Sequence, residues 1–204
     1  MRHITTLFLD IGGVLLTNGW DNGDRRKVSA HFGLDWDAFE QRHQKLHTPL
    51  ETGQITLDEY LKETVFYEPR PFTEAEFIEQ MRAVSQSFED MIEFICAFKK
   101  EHGLKVVALS NESRELSDYR TRTFDLKRMF DAFFVSGYVY YQKPDAHIYE
   151  IALDVMQVEK SEVVYIDDRA ALIEAGEAVG LLSIMHTSLE STRHQLTALM
   201  NAQT

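Results

Sequence analysis

The hydrophobic pattern of this chain changes character twice. Residues 4–10 (ITTLFLD) form a short apolar run that closes on an acid and enters Gly12-Gly13, the pattern of a buried strand ending in a turn. From about residue 21 to 87 the pattern becomes polar and aromatic-rich, and helical spacing predicts helices over 24–32, 35–46, 56–66 and 73–85. Asp35 and Thr56 suit N-caps, and Thr56 with Glu59 has capping-box spacing. No strand-like alternation interrupts this block, so it reads as an all-helical insertion. Beyond Met91 the chain becomes regular. Helices at 91–100, 115–124, 145–156, 170–179 and 189–199 alternate with strands at 104–110, 132–136, 163–167 and 181–186. Such alternation predicts an α/β fold with a parallel sheet covered on both faces. The division expected is a core of residues 1–17 and 88–204 and an insertion of 18–87, hinged near 17–20 and near Ser87.

Composition adds limits. With 204 residues and 44% hydrophobic content, the chain can bury a core for one main domain plus an insertion. The net charge of −12 argues against nucleic acid as a partner. It also repels any phosphorylated substrate, so a site for one must supply positive charge locally, from a metal, a lysine or a helix N-terminus. The one cysteine, Cys96, falls at helical spacing among Met91, Phe94, Ile95 and Phe98 and reads as a small buried hydrophobe. The N-terminal apolar run is too short for a signal peptide, and no apolar stretch approaches a membrane span. A cytoplasmic protein with no membrane partner is expected.

In a sheet of this kind, ligands bind beyond the carboxyl ends of the strands. Asp10, Ser110-Asn111 and Asp167-Asp168 end three predicted strands, and Lys143 opens the segment KPD before a helix. Two acids beside Asp10 would repel one another by about 4 kcal/mol per contact at 4 Å and an effective dielectric of 20. A hard divalent cation removes that cost, and an all-oxygen set suits Mg²⁺. An aspartate nucleophile suits phosphoryl transfer through an acyl-phosphate, with a metal and a lysine neutralising charge on the transferring group. Ser110 and Asn111 can donate hydrogen bonds to its non-bridging oxygens. Trp20, in the first hinge, either lines a substrate pocket or packs between insertion and sheet.

These segments together resemble the four motifs of the haloacid dehalogenase-like (HAD) superfamily, in order. FLDIGGVLL is similar to the first, VVALSNES to the second, QKPDAHIY to the third and VVYIDD to the fourth. The resemblance implies a Rossmann-like three-layer sandwich with a small helical cap of the type inserted after the first motif. Within that cap, LETGQITLDEYL resembles a stretch common in such caps. It implies Asp10 as nucleophile, Ser110 as phosphate-binding hydroxyl and Lys143 as the charge-neutralising lysine. It implies Asp167 and Asp168 as metal-binding acids, and the Gly12 carbonyl as a further Mg²⁺ ligand.

Two positions depart from the family pattern. Gly12 replaces the aspartate that protonates the leaving group and activates water, help typically worth about 10²–10⁴ in rate. Asp21, Asp24 and His47 are candidate substitutes from the cap. Leu172 stands where many relatives place Asn or Asp. His43 and His47 share a helix face at metal-ligand spacing but lack a third ligand, and read as a solvated or capping pair. Phe66, Tyr67 and Phe72 read as structural. The expected function is a Mg²⁺-dependent phosphatase of a small phosphorylated metabolite, working as a monomer or a homodimer. The alternatives are a carbon–halogen hydrolase, whose halide leaves unprotonated, and a phosphate-ligand binding protein without turnover.

Overall fold

The computed structural model describes residues 3–202. Its strands are β1 (Thr6–Leu9), β2 (Lys105–Ser110), β3 (Ala132–Val135), β4 (Val163–Asp167) and β5 (Leu182–Met185), and its helices are α1 (Asn22–His31), α2 (Trp36–Glu51), α3 (Leu57–Thr64), α4 (Glu74–Ala83), α5 (Glu89–His102), α6 (Arg114–Thr123), α7 (Ser136–Val139), α8 (Ala146–Met156), α9 (Ala170–Val179) and α10 (Leu189–Asn201). The strands form one parallel sheet in the order β3-β2-β1-β4-β5. Because strand side chains alternate, each strand feeds both faces. Leu7, Leu9, Val106, Ala108 and Ile166 pack with Ile92, Ile95 and Leu196 of α5 and α10. Phe8, Val107, Leu109 and Tyr165 pack with Ile148, Tyr149 and Ile173 of α8 and α9. The fold is the expected Rossmann-like α/β sandwich. Leu9 pairs with Ala108 on one side and Ile166 on the other, so β2, β1 and β4 end nearly level.

Helices α1 to α4 have a separate core around Phe39, Tyr60, Leu61, Phe77 and Met81. Capping boxes start two of them, Thr56 with Glu59 at α3 and Thr73 with Glu76 at α4. Phe66 and Phe72 pack onto this core, while Tyr67 lies at the surface beneath the Arg42 guanidinium. The two segments joining the helices to the sheet run side by side. Thr17 N–H donates to the Gln86 carbonyl (2.9 Å), and Phe88 N–H to the Leu15 carbonyl (2.8 Å).

Three expectations need correction. The second helix does not stop near residue 46 but continues through Pro49 to Glu51, because Leu50 reaches the helical core and Thr52 closes the last turn on the Thr48 carbonyl. Cys96 is only half-buried, at the edge of the α5 layer. His43 is not solvated: it is buried, hydrogen-bonded to the Tyr60 hydroxyl (2.8 Å) and packed parallel to Phe39. Among the described residues, no helix is long and apolar enough to cross a membrane.

Candidate active site

The sheet places its polar strand ends as the pattern predicted. β1 is fully buried, and one residue beyond it Asp10 is fixed by its own N–H, which donates to the Ile166 carbonyl (2.9 Å). Asp10 Oδ1 accepts from Ile11 N–H (2.8 Å) and lies 3.1 Å from Lys143 Nζ. Among the described residues no donor holds Oδ2. Lys143 Nζ also donates to Asp167 Oδ2 at 2.6 Å. The lysine therefore sits beneath two carboxylates, fully buried, and is not part of the cavity wall.

Asp167 and Asp168 end β4 in different states. Asp167 accepts from Lys143, the Tyr165 hydroxyl (2.5 Å) and Arg169 N–H (2.9 Å). Burial pushes its carboxyl up, but Lys143 and these hydrogen bonds outweigh burial and hold it below the usual range. Asp168 is pushed up, first by burial and then by the charges of Asp10 and Asp167. Its Oδ1 is buried without a hydrogen-bond partner. Carboxylate oxygens of Asp10, Asp167 and Asp168 all lie within 4.8 Å of one another. An orphaned anionic oxygen beside two other carboxylates fits a hard divalent cation. Asp10 and Asp168 offer free oxygens, whereas Asp167 gives charge but spends its own oxygens on protein donors.

Above these groups lies a cavity of about 430 Å³ between the sheet and the helical block. Asp10, Gly12, Ser110, Asn111, Asp168 and Trp20 all line it. Among the described residues the Ser110 hydroxyl has no hydrogen-bond partner, and it lines the cavity. Asn111 is committed elsewhere: its side-chain amide donates to the Lys143 carbonyl (2.7 Å) and its Oδ1 accepts Lys143 N–H (2.7 Å). Asn111 thus positions the lysine segment. Trp20 lines the cavity wall but packs within the helical block rather than between that block and the sheet. It packs edge-on against Phe39 and Phe77 and donates from Nε1 to the Tyr60 hydroxyl (3.1 Å).

Several cavity residues were not anticipated from sequence. Arg120 and Glu112 form a buried ion pair, and Arg120 also donates to the Thr17 carbonyl. Arg25 grips Glu40 through two bonds of 3.0 Å. Arg169 faces the cavity without an ion pair among the described residues. Glu51 ends α2 at the cavity wall. The only cues for it were its place in LETGQITLDEYL and, for Arg169, its place directly after Asp168. Of the proposed substitute acids, Asp21 lines the cavity but caps α1 by accepting Asp24 N–H (2.8 Å). Asp24 is not in the wall and pairs with Lys27. His47 lines the wall beside Thr48 and the Gln44 carbonyl.

A parallel α/β sheet that ends in an aspartate, with a buried lysine behind it and two further acids beside it, defines a class of aspartate-centred sites. Comparison with known proteins gives the family. The model of the haloacid dehalogenase-like hydrolases matches residues 4–180, and the chain belongs to that family. Rat bifunctional epoxide hydrolase 2 is 25% identical over 139 residues, 66% of this chain, and the chain spans about a quarter (25%) of that relative's length. Among solved structures, a HAD family enzyme from Bacteroides thetaiotaomicron superposes with a TM-score of 0.82 over 96% of this chain and 99% of its own, at 16% identity. The same enzyme in complex with magnesium and inorganic phosphate gives 0.78 at 16% identity, over 90% and 94% of the two chains. L-2-haloacid dehalogenase from Xanthobacter autotrophicus, with chloropropionic acid covalently bound, gives 0.63 at 16% identity, over 96% and 83%. At these identities the likeness establishes the fold.

Proposed function

We propose that this hydrolase is a Mg²⁺-dependent phosphatase of a small phosphorylated metabolite, with no nucleic-acid substrate, and that residues 18–87 act as a cap over a core of 1–17 and 88–204. The observation that carries this reading is the carboxylate cluster. Asp168 keeps an unpartnered buried oxygen beside Asp10, a costly arrangement unless a cation shares it. Asp10 and Asp168, with the Gly12 carbonyl and the charge of Asp167, would hold Mg²⁺. The ion would neutralise charge on the phosphoryl oxygens. Asp10 Oδ2, free of protein donors, attacks phosphorus while Lys143 holds Oδ1. The alcohol leaves, and water then opens the aspartyl-phosphate. Ser110 donates to a non-bridging oxygen. The magnesium and phosphate complex of the Bacteroides enzyme supports this choice by analogy of fold.

One observation favours a second reading. Gly12 provides no acid, and a halide leaves without one, so carbon–halogen hydrolysis on Asp10 is the alternative. The test is hydrolysis of p-nitrophenyl phosphate with Mg²⁺ and with chelator, on wild type and Asp10→Asn. The expected result is Mg²⁺-dependent turnover that falls at least ~10³-fold in Asp10→Asn, the scale for loss of a covalent nucleophile. Chelator-resistant dehalogenation without phosphatase activity would replace this reading with the second. A folded wild type that binds phosphate but turns over neither substrate class would identify a binding protein.

A further inference from the structure

We propose that Glu51, at the end of α2, is the proton-transfer residue that performs the role for which Gly12 has no side chain; this rests on the phosphatase reading above. Glu51, from the helical block, lines the cavity that Asp10, Gly12, Ser110 and Asp168 also line. Its carboxylate has no hydrogen bond or ion pair among the described residues, unlike most other acids of that wall. Asp21 is spent on the α1 cap, and Glu112 on Arg120.

The backbone around Glu51 is fastened to the core at three places. Ser136 Oγ donates to the Glu51 carbonyl at 2.6 Å. Leu57 N–H donates to Glu115 Oε1 at 3.1 Å. Between them, Gly53 lies so close to Gly137 that an added Cβ would overlap the Gly137 carbonyl oxygen. These contacts fix the backbone of Glu51 at the wall of the cavity it shares with Asp10 and leave its carboxylate uncommitted. Its environment also suits acid–base cycling. Burial, set against Arg169 and Arg25 but aided by the charges of Glu112 and Asp10, pushes its carboxyl up to about 7. Its place at a helix C-terminus favours the neutral form in the same direction. A group that titrates near neutrality is present as both acid and base, which is what a two-step transfer needs.

The steps balance. In the first, Asp10 Oδ2 bonds to phosphorus, the ester P–O bond breaks, and the proton of neutral Glu51 passes to the leaving oxygen. In the second, ionised Glu51 takes a proton from the water whose oxygen attacks phosphorus. The bond from phosphorus to Asp10 breaks, releasing phosphate and restoring the Asp10 carboxylate and neutral Glu51.

The test uses the full chain with Mg²⁺ and two probes, p-nitrophenyl phosphate and phenyl phosphate, on wild type, Glu51→Gln and Gly12→Asp/Glu51→Gln. For Glu51→Gln, kcat/KM on phenyl phosphate should fall about 10²-fold or more, the lower range for general acid help, and only a few-fold on p-nitrophenyl phosphate. Its kcat on p-nitrophenyl phosphate should fall further than kcat/KM, because opening the intermediate still needs the base. Gly12→Asp should restore phenyl phosphate turnover at least ~10-fold in the Glu51→Gln background. The backbone there is not left-handed, and the nearest atom to an added Cβ is Asn18 Oδ1, at 3.3 Å on a surface side chain. Equal losses on both probes, no loss, or no rescue by Gly12→Asp would overturn the role of Glu51 while leaving the phosphatase reading intact. A wild type inactive on both probes would remove that reading and this one together.

Discussion

The ion pair of Arg120 and Glu112 allows a magnitude to be worked from the structure. Both side chains are buried, at 2% and 4% exposure. Arg120 Nε and Glu112 Oε2 lack partners, so the pair is incompletely satisfied even when intact. Arg120 also ties the Thr17 carbonyl, where the chain leaves the sheet for the helical block. Replacing Arg120 by Met leaves a buried carboxylate alone and frees that carbonyl. Breaking a buried pair from one side typically costs about 3–5 kcal/mol. The lower end is expected here, because burial already pushes Glu112 up and the lone acid can relieve itself by taking a proton. Replacing both partners, as Glu112→Leu/Arg120→Met, should recover most of the loss and end within about 1–2 kcal/mol of wild type. Urea unfolding of wild type, Glu112→Leu, Arg120→Met and the double variant at pH 7 gives the cycle. The Arg120→Met deficit should shrink at pH 5. With its cation gone the Glu112 carboxyl titrates still higher in the fold, so its contribution is present at low pH and is lost as pH rises. An Arg120→Met cost under about 1 kcal/mol, or a double variant no more stable than Arg120→Met, would refute the reasoning.

Two further outcomes follow from the helical block. His43 is held down to about 4, by burial first and then by Arg25, against an ordinary value of 6.5. Its contribution to stability is present above pH 6.5 and is lost as pH falls through 4, by up to about 3 kcal/mol. Urea unfolding of His43→Gln should therefore show a smaller loss between pH 7 and pH 4.5 than wild type, and parallel curves would count against it. Gly53 has φ of 67° and faces the Gly137 carbonyl, so Gly53→Ala should cost about 1–2 kcal/mol for the left-handed backbone plus the overlap. Because that contact seats Glu51, phenyl phosphate turnover should fall more than the thermal midpoint suggests. A fully active Gly53→Ala would show that the seat is dispensable.

The core of the site was legible in the sequence because the strands are short apolar runs that end abruptly in acids. Leu9 before Asp10 and Ile166 before Asp167 mark where each apolar run ends, and the sheet register then brings those ends together. Thr56 with Glu59 fixed the start of α3 for a similarly local reason. What stayed hidden depends on distant partners. Pro49 and a polar stretch obscure the last turn of α2, so Glu51 read as loop although Leu50 and Thr52 continue the helix to it. Arg120 lies in a helix of low hydropathy and reads as a solvated charge. Only Glu112, from the segment after β2, and Thr17, more than a hundred residues earlier, draw it inside. His43 is likewise buried by Tyr60 and Phe39 rather than by any property of its own segment.

The charge problem posed by the net −12 resolves at the scale of the cavity. At physiological ionic strength, screening acts over about 8 Å, so acids on the far surface matter little to a phosphate inside. The wall itself carries Asp10, Asp21, Glu51, Glu112 and Asp168 against Arg25, Arg120 and Arg169. Arg25 and Arg120 are already matched by Glu40 and Glu112. Arg169 is the one arginine of the wall whose charge remains uncommitted among the described residues. On this reading a cation between Asp10 and Asp168, Lys143 beneath them and a neutral Glu51 above them are three parts of one condition for holding a dianion. It follows that ionising Glu51 weakens phosphate binding as well as removing the acid. Phosphate itself ionises in this range, so the two proteins are compared at each pH: inorganic phosphate should inhibit both alike well below pH 7, and Glu51→Gln more strongly than wild type above pH 7, where Glu51 is ionised. Phosphate inhibition with the same pH dependence in both proteins would place the controlling charge elsewhere.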